Sequence, residues 1–313
     1  ALSILGNAGI GKTSIIHQVA EDEGMNFVRL NLAEIVVDDL VGYPVKEYEY
    51  VKGDDHIWIN ENLIQYYVNH QGYVPTNRNQ MSYATPQWLT GKMDKPLILF
   101  LDDASRASLN LMQATMTIID EQKYISWSLP EGSTVILSNN PDTGDYLVTT
   151  TDGAQKTRYL EVMMKFDLDS WAEWAEEYKM DTRCINFILK SPEVVEGIKD
   201  FTDDGNKIIK GNIRLWTKYF DTIGGISNWT DNLDLVLNLG GNLPEEHLLF
   251  FMQFVQNKLD KLPTPIQMLD NDKGWVIGEL GTLIGKDIST RRQDLAAILI
   301  KRLINYVVIN EKD

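Results

Sequence analysis

Eight residues near the start of the chain, Gly6-Asn-Ala-Gly-Ile-Gly-Lys-Thr13, have the types and spacing of a phosphate-binding loop. Glycine at Gly6 and Gly11 lets the backbone turn where a side chain would clash, so successive N–H groups of Asn7, Ala8, Gly9 and Ile10 converge on an anion. Lys12 brings a mobile point charge to the outer phosphates, and the Thr13 hydroxyl is a ligand for Mg²⁺. From Ser14 the loop continues into a helix whose N-terminus adds a partial positive charge. A second group follows at Pro96-Leu-Ile-Leu-Phe-Leu-Asp102-Asp103, an apolar run ending in two acids. There Asp102 is placed to hold Mg²⁺, directly or through water, and Asp103 to orient or deprotonate an attacking water. A third run, Ser133-Thr-Val-Ile-Leu-Ser138, ends in Asn139-Asn140-Pro141-Asp142. An asparagine at that end can hydrogen-bond a γ-phosphate or the lytic water; the alternative is a plain turn, since Asn-Pro and Asp are turn formers.

These groups need elements that carry them to one place. Ala1–Leu5 is a short apolar strand, and 14–20 is a helix expected to carry Ile15, Ile16 and Val19 on one face. Strand, loop and helix in that order favour phosphate binding over a glycine-rich turn without a ligand. His17 on that helix reads as a surface or packing residue. The continuous apolar run before Asp102 fits a central parallel strand covered on both faces, and an acid at its C-terminal end lies where ligands bind in open α/β sheets.

Composition narrows the function classes. With 313 residues, 43% of them hydrophobic, the chain can bury a large core, most simply as two domains. No apolar run approaches the roughly 20 residues that span a bilayer. Cys184 is the single cysteine, so no intrachain disulfide forms, and a reducing, cytoplasmic setting is expected. A net charge of −16 argues against broad nucleic-acid binding, although a local basic patch would escape that argument. The chain starts at Ala1, on the strand that carries the loop and without a methionine, so further sequence is expected upstream.

The order of these motifs resembles the AAA+ ATPases, and within them the MoxR-like branch. The matching stretches are the loop at 6–13, Asp39-Leu-Val-Gly-Tyr-Pro44, Leu99-Phe-Leu-Asp-Asp-Ala-Ser-Arg-Ala107, Ser138-Asn-Asn-Pro-Asp142, Gly153-Ala-Gln-Lys-Thr-Arg-Tyr159 and Asn212-Ile-Arg-Leu-Trp216. The stretch at 140–146 is similar to one carried by viral members, so a bacteriophage origin is an expectation. The resemblance implies a P-loop AAA+ core at 1–168, a parallel sheet flanked by helices with an insertion at about 43–95. An all-α lid with a helical extension would follow at 169–313. It implies binding of ATP with Mg²⁺ on Thr13 and Asp102, with hydrolysis to ADP and phosphate. Asn140 matches sensor 1, Arg214 matches sensor 2, and Arg158 matches the arginine finger that reaches a neighbouring subunit, with Lys156 an auxiliary contact. A finger acting in trans needs a head-to-tail interface, which closes into a ring. A homo-hexamer that remodels a protein partner is therefore expected.

Two departures from the family pattern matter. The acid pair is Asp102-Asp103, where the family usually has Asp-Glu, and the shorter side chain withdraws the carboxylate by about 1 Å. In addition, Lys156-Thr157 stands where an acid or arginine often precedes the finger. The first departure supports a competing reading, a nucleotide-gated scaffold that barely hydrolyses. A DNA-directed motor or loader is a further alternative, opposed by the charge.

Elsewhere the signals concern packing more than chemistry. Tyr48–Trp58 fits a hairpin turning near Gly53-Asp54, and 62–68 a short helix. Tyr83, Trp88 and Lys92 either touch a partner in a ring channel or pack within the insertion, and packing is favoured. Beyond 170 the pattern is helical: Ser170 is the expected N-cap of one helix, and others are expected at 185–189, 214–223, 245–262 and 290–309.

Overall fold

The computed structural model describes residues 1–141, 155, 157–196, 212–285 and 291–310. The chain divides into two units, Ala1–Asn7 with Gly11–Met164, and Ala8–Ile10 with Lys165–Asp313.

The first unit is α/β. Its strands are β1 (Leu2–Leu5), β2 (Asn26–Asn31), β3 (Pro44–Lys52), β4 (Asp55–Asn60), β5 (Val74–Tyr83), β6 (Leu97–Asp102), β7 (Lys123–Tyr124), β8 (Trp127–Ser128), β9 (Thr134–Asn139) and β10 (Leu160–Met163). Five of them form a sheet in the order β10-β1-β9-β6-β2, with every neighbouring pair parallel. Parallel neighbours require crossovers, and helices α1 (Lys12–Asp22), α2 (Val37–Val41) and α3 (Leu109–Glu121) lie in those connections.

The period of two in β6 divides its side chains between two cores. Ile98 and Phe100 join Ile4, Ile136 and the α1 residues Ile16 and Ala20. Leu97, Leu99 and Leu101 join Val28, Val135, Leu137 and the α3 residues Leu111, Met112, Ile118 and Ile119. All six β6 residues are buried, which accounts for the unbroken apolar run. Each of the five apolar side chains, Leu97 to Leu101, contributes about 1.5–3 kcal/mol relative to exposure. The α1 face differs from expectation: Ile16 and Ala20 point inward, whereas Ile15 and Val19 are exposed. The inward stripe runs through Lys12, Ile16 and Ala20, so helical phase is set by the lysine that must face the loop.

Strands β4-β3-β5 make a separate antiparallel sheet. Its hairpin turns where expected, with Lys52 opposite Asp55 and Gly53 at φ +64°. Residues 61–71 form short helical turns. Gly42 links α2 to this sheet at φ 87° and ψ 169°, a conformation open in practice only to glycine. A Cβ there would lie 1.9 Å from the Ala84 carbonyl oxygen, and that backbone is pinned by the Ala84 N–H donating to Tyr43 O at 2.9 Å. Gly42→Ala is therefore expected to cost at least about 2 kcal/mol. Thermal denaturation should show a lowered midpoint, and an unchanged midpoint would contradict this placement.

The second unit is helical: α4 (Leu168–Glu177), α5 (Thr182–Lys190), α6 (Glu193–Glu196), α7 (Ile213–Ile223), α8 (Leu233–Asn238), α9 (Glu245–Gln256), α10 (Pro265–Asp270), α11 (Lys273–Ile284) and α12 (Gln293–Asn310). Phe187 lies at its centre, packed against Trp216, Phe220, Phe251 and Phe254 at ring-centroid distances of 4.9–6.3 Å. Cys184 is fully buried beside them, and burial pushes its thiol well above the ordinary value, so it packs as a small apolar residue.

Helix boundaries differ from the sequence expectation, two of them for a visible local reason. Asp167, not Ser170, caps α4, and its carboxylate accepts from Ser170 N at 2.8 Å and Ser170 Oγ at 2.7 Å. An acid here also complements the helix dipole. The expected helix at 245–262 ends at Gln256, because Lys258 turns left-handed at φ 57° before a short 3₁₀ turn, Leu259–Lys261. No helix among the described residues is long and apolar enough to cross a membrane.

Candidate active site

Parallel pairing delivers the C-terminal ends of β1, β2, β6 and β9 to one edge of the sheet. Leu5 lies opposite Asn139, and Asn31 opposite Asp102. The chain leaves β1 with Gly6 N donating to Asn139 O at 3.1 Å. It enters α1 through Gly11, left-handed at φ 99° and without a side-chain cap. As a glycine, Gly11 brings no capping side chain of its own to the start of α1, and such a helix N-terminus suits an anion.

Lys12 is buried, and its ammonium donates to Gly6 O at 2.6 Å, Asn7 O at 3.0 Å and Asn140 Oδ1 at 3.0 Å. The other end of that amide, Asn140 Nδ2, donates to Asp103 Oδ1 at 3.2 Å. Having partners of opposite character at its two ends fixes the amide's orientation. Asn139 turns away, its Nδ2 donating to Ser3 Oγ at 2.9 Å. Of the two asparagines, Asn140 is thus the one that joins the lysine to the second acid. Asp103 is left-handed at φ 52°, a conformation that aspartate tolerates better than most residues.

Thr13 Oγ1 donates to Asp102 Oδ2 at 3.2 Å, and Asp103 N donates to Asp102 Oδ1 at 3.1 Å. Among the described residues, no group of three or more His, Cys, Asp or Glu could hold a metal. A hydroxyl and one carboxylate facing each other instead match the hard-oxygen, water-rich coordination that Mg²⁺ takes beside phosphates. The donor set fits that ion.

The remaining candidates fall in different places. Arg158 lies in the first unit, its Nε donating to Asp120 Oδ2 at the end of α3 at 2.6 Å. Gly9, at φ +83°, is packed so that a Cβ would meet Asn212 Oδ1 at 2.9 Å and Arg214 Cβ at 3.0 Å, all three residues belonging to the second unit. Asn212 caps α7, accepting from Leu215 N at 3.1 Å, which sets Arg214 in the first turn. Lys156 and residues 142–146 lie outside the described residues. Tyr83 packs edge-on against Tyr124 at 5.4 Å, and Trp88 donates to Leu40 O at 3.0 Å and packs against Trp127. Both aromatics pack against the first unit's core.

Three charged residues at these groups were not anticipated: Arg29, Arg106 and Asp120. Arg29 Nη2 lies 2.7 Å from Asp102 Oδ2, and Arg106 Nη1 lies 3.9 Å from Asp103 Oδ2. For Arg29 a signal was available, since a charged residue stands inside the apolar strand Asn26-Phe-Val-Arg-Leu-Asn31.

Residues 2–123 match the family model of the ATPase family associated with various cellular activities (AAA), so this stretch is an AAA-type ATPase domain. No curated protein matches the chain. A putative ATPase from Cytophaga hutchinsonii is similar at 16% identity over 57% of this chain, with a TM-score of 0.36, and the match spans 46% of that protein. A point mutant of Thermotoga maritima RuvB is similar at 11% identity over 95% of this chain and 79% of its own, with a TM-score of 0.39.

Proposed function

We propose, from the AAA-type ATPase domain at residues 2–123, that the chain is a Mg²⁺-dependent ATPase of the MoxR-like branch, acting as a homo-oligomeric ring on a protein partner. The observation that carries the ATPase reading is the linked set Lys12–Asn140–Asp103 beside Thr13–Asp102, since phosphoryl transfer relies on positioning and charge neutralisation. Residues Gly6 to Ser14 cradle the phosphates. When bound on Thr13 and Asp102, Mg²⁺ would neutralise phosphate oxygens. Asp103 orients the attacking water and accepts its proton, and Asn140 holds Asp103 and the γ-phosphate in register with Lys12.

Arg214 is assigned as sensor 2, supported by its place beside Gly9, three residues before Lys12. Arg158 is assigned as the finger acting on a neighbouring subunit, which requires it to exchange Asp120 for a phosphate. The ring, the hexamer, the protein client, the viral origin and the division into an ATPase core and a helical lid rest on the motif resemblance. The competing scaffold reading keeps one observation in its favour, the Asp102-Asp103 pair in place of Asp-Glu.

The experiment is ATP turnover against protein concentration for wild type and Arg158→Ala, with assembly followed by light scattering. Turnover should rise with assembly in the wild type and fall about 10³-fold or more in the variant while assembly persists. An assembled Arg158→Ala protein with wild-type turnover would remove the finger assignment.

A further inference from the structure

We propose that Arg29 is a built-in placeholder cation for the metal position: it neutralises Asp102 until a metal-bound nucleotide displaces it, which makes metal entry depend on nucleotide. The proposal rests on the reading of Thr13 and Asp102 as the Mg²⁺ donors.

The geometry concentrates on one oxygen. Asp102 Oδ2 accepts from Arg29 Nε at 2.8 Å and lies 2.7 Å from Arg29 Nη2, and it also accepts from Thr13 Oγ1 at 3.2 Å. The other oxygen, Oδ1, accepts from the adjacent Asp103 N–H at 3.1 Å. The oxygen that faces the threonine hydroxyl, where a metal or its water would bind, is therefore the one the guanidinium holds. Strand parity puts it there. Phe27 packs in the α1-side core with Phe100, so Arg29, two residues on, shares the face of Asp102, two residues beyond Phe100.

Burial decides which partner moves. The Asp102 side chain is 9% exposed and fixed by the strand, whereas the Arg29 side chain is 47% exposed and reaches in from solvent. A carboxylate that deep in the protein is costly without a counter-charge, so some cation must accompany it. A guanidinium and a divalent ion cannot both contact Oδ2 without strong mutual repulsion. Free Mg²⁺ must displace Arg29 unaided. Mg²⁺ carried by a nucleoside triphosphate arrives with anionic oxygens that offset the repulsion and give the released guanidinium a new partner. The consequence is discrimination between the metal–nucleotide complex and the metal alone.

Mn²⁺, which takes the same oxygen donors, serves as the probe by electron paramagnetic resonance on the full chain. Without nucleotide, Arg29→Gln should bind Mn²⁺ about tenfold or more tightly than wild type, because a cation next to the ion has been removed. With a non-hydrolysable ATP analogue the two proteins should differ by only a few-fold. Added Mg²⁺ alone should raise the thermal midpoint of the variant and leave that of the wild type nearly unchanged, a difference that a purely structural Arg29 would not produce. Equal or weaker Mn²⁺ binding by Arg29→Gln overturns the proposal. Should that variant not fold, Arg29→Lys carries the test. Its ammonium makes one contact in place of two, so Mn²⁺ should again tighten relative to wild type, by a smaller factor, and no tightening overturns the idea. If wild type binds no Mn²⁺–nucleotide complex at all, it is the ATPase reading that fails.

Discussion

Asp103→Asn lowers ATP turnover by about 10²- to 10⁴-fold, the contribution of a positioned base, while nucleotide binding survives. Asparagine keeps the size of the side chain and tolerates the left-handed backbone found at φ 52° and ψ 37°, so the fold around β6 is undisturbed. What is lost is an acceptor for the water's proton. The carboxylate is held by Asn140 Nδ2 at 3.2 Å, and Asn140 in turn by Lys12 at 3.0 Å. This network is set to an aspartate's length. Asp103→Glu therefore also slows turnover, by on the order of 10²-fold, because the carboxylate moves about 1 Å past its partner. Phosphate release measured with nucleotide saturation checked in parallel distinguishes the outcomes. An Asp103→Glu protein faster than wild type would show that the short acid is a handicap, and would favour the scaffold reading.

In the helical unit, Arg302→Met costs about 3–5 kcal/mol of stability, because it strips a buried charge of its partner. Arg302 is fully buried in α12. Its Nε donates to Glu176 Oε1 at 2.6 Å, Nη2 to Glu176 Oε2 at 3.3 Å, and Nη1 to Asn186 Oδ1 at 2.9 Å. One side chain thus ties α12 to both α4 and α5. Methionine fills much of the volume but leaves the Glu176 carboxylate, itself 10% exposed, without a counter-charge. Urea denaturation should show a lower midpoint with an unchanged slope. Adding Glu176→Gln to Arg302→Met should restore part of the loss, since the orphaned charge is then gone. A single variant as stable as wild type would mean that the pair contributes nothing.

The glycine-rich loop at 6–13, the acid-terminated strand and the place of Asn140 beside them were legible in the sequence because residue type and spacing are restricted there. Gly11 must turn left-handed, and β6 must be apolar on both faces. Through-space partners carry no such mark along the chain. Asp120 follows an ordinary helix pattern, and nothing local connects it to Arg158, 38 positions away. Strand β10 was not anticipated because Leu160, Val162 and Met163 are all exposed, so no buried alternation identifies it. Helical phase in α1 was misjudged for a related reason. Its apolar residues Ile15, Ile16 and Val19 suggest one face, yet the buried stripe includes Lys12, whose ammonium donates to the loop carbonyls of Gly6 and Asn7. The boundary errors at Asp167 and Gln256 come from local competition, one cap against another and a left-handed residue against continued helix.

Phosphate release from ATP by wild type and Lys12→Ala, each with Mg²⁺ and with EDTA, tests the central claim most directly. The site described here predicts turnover in the wild type with Mg²⁺, and its loss both on chelation and in the Lys12→Ala protein. Release that persists without the metal or without the lysine would contradict it, as would a wild-type protein that releases no phosphate at any concentration at which it assembles.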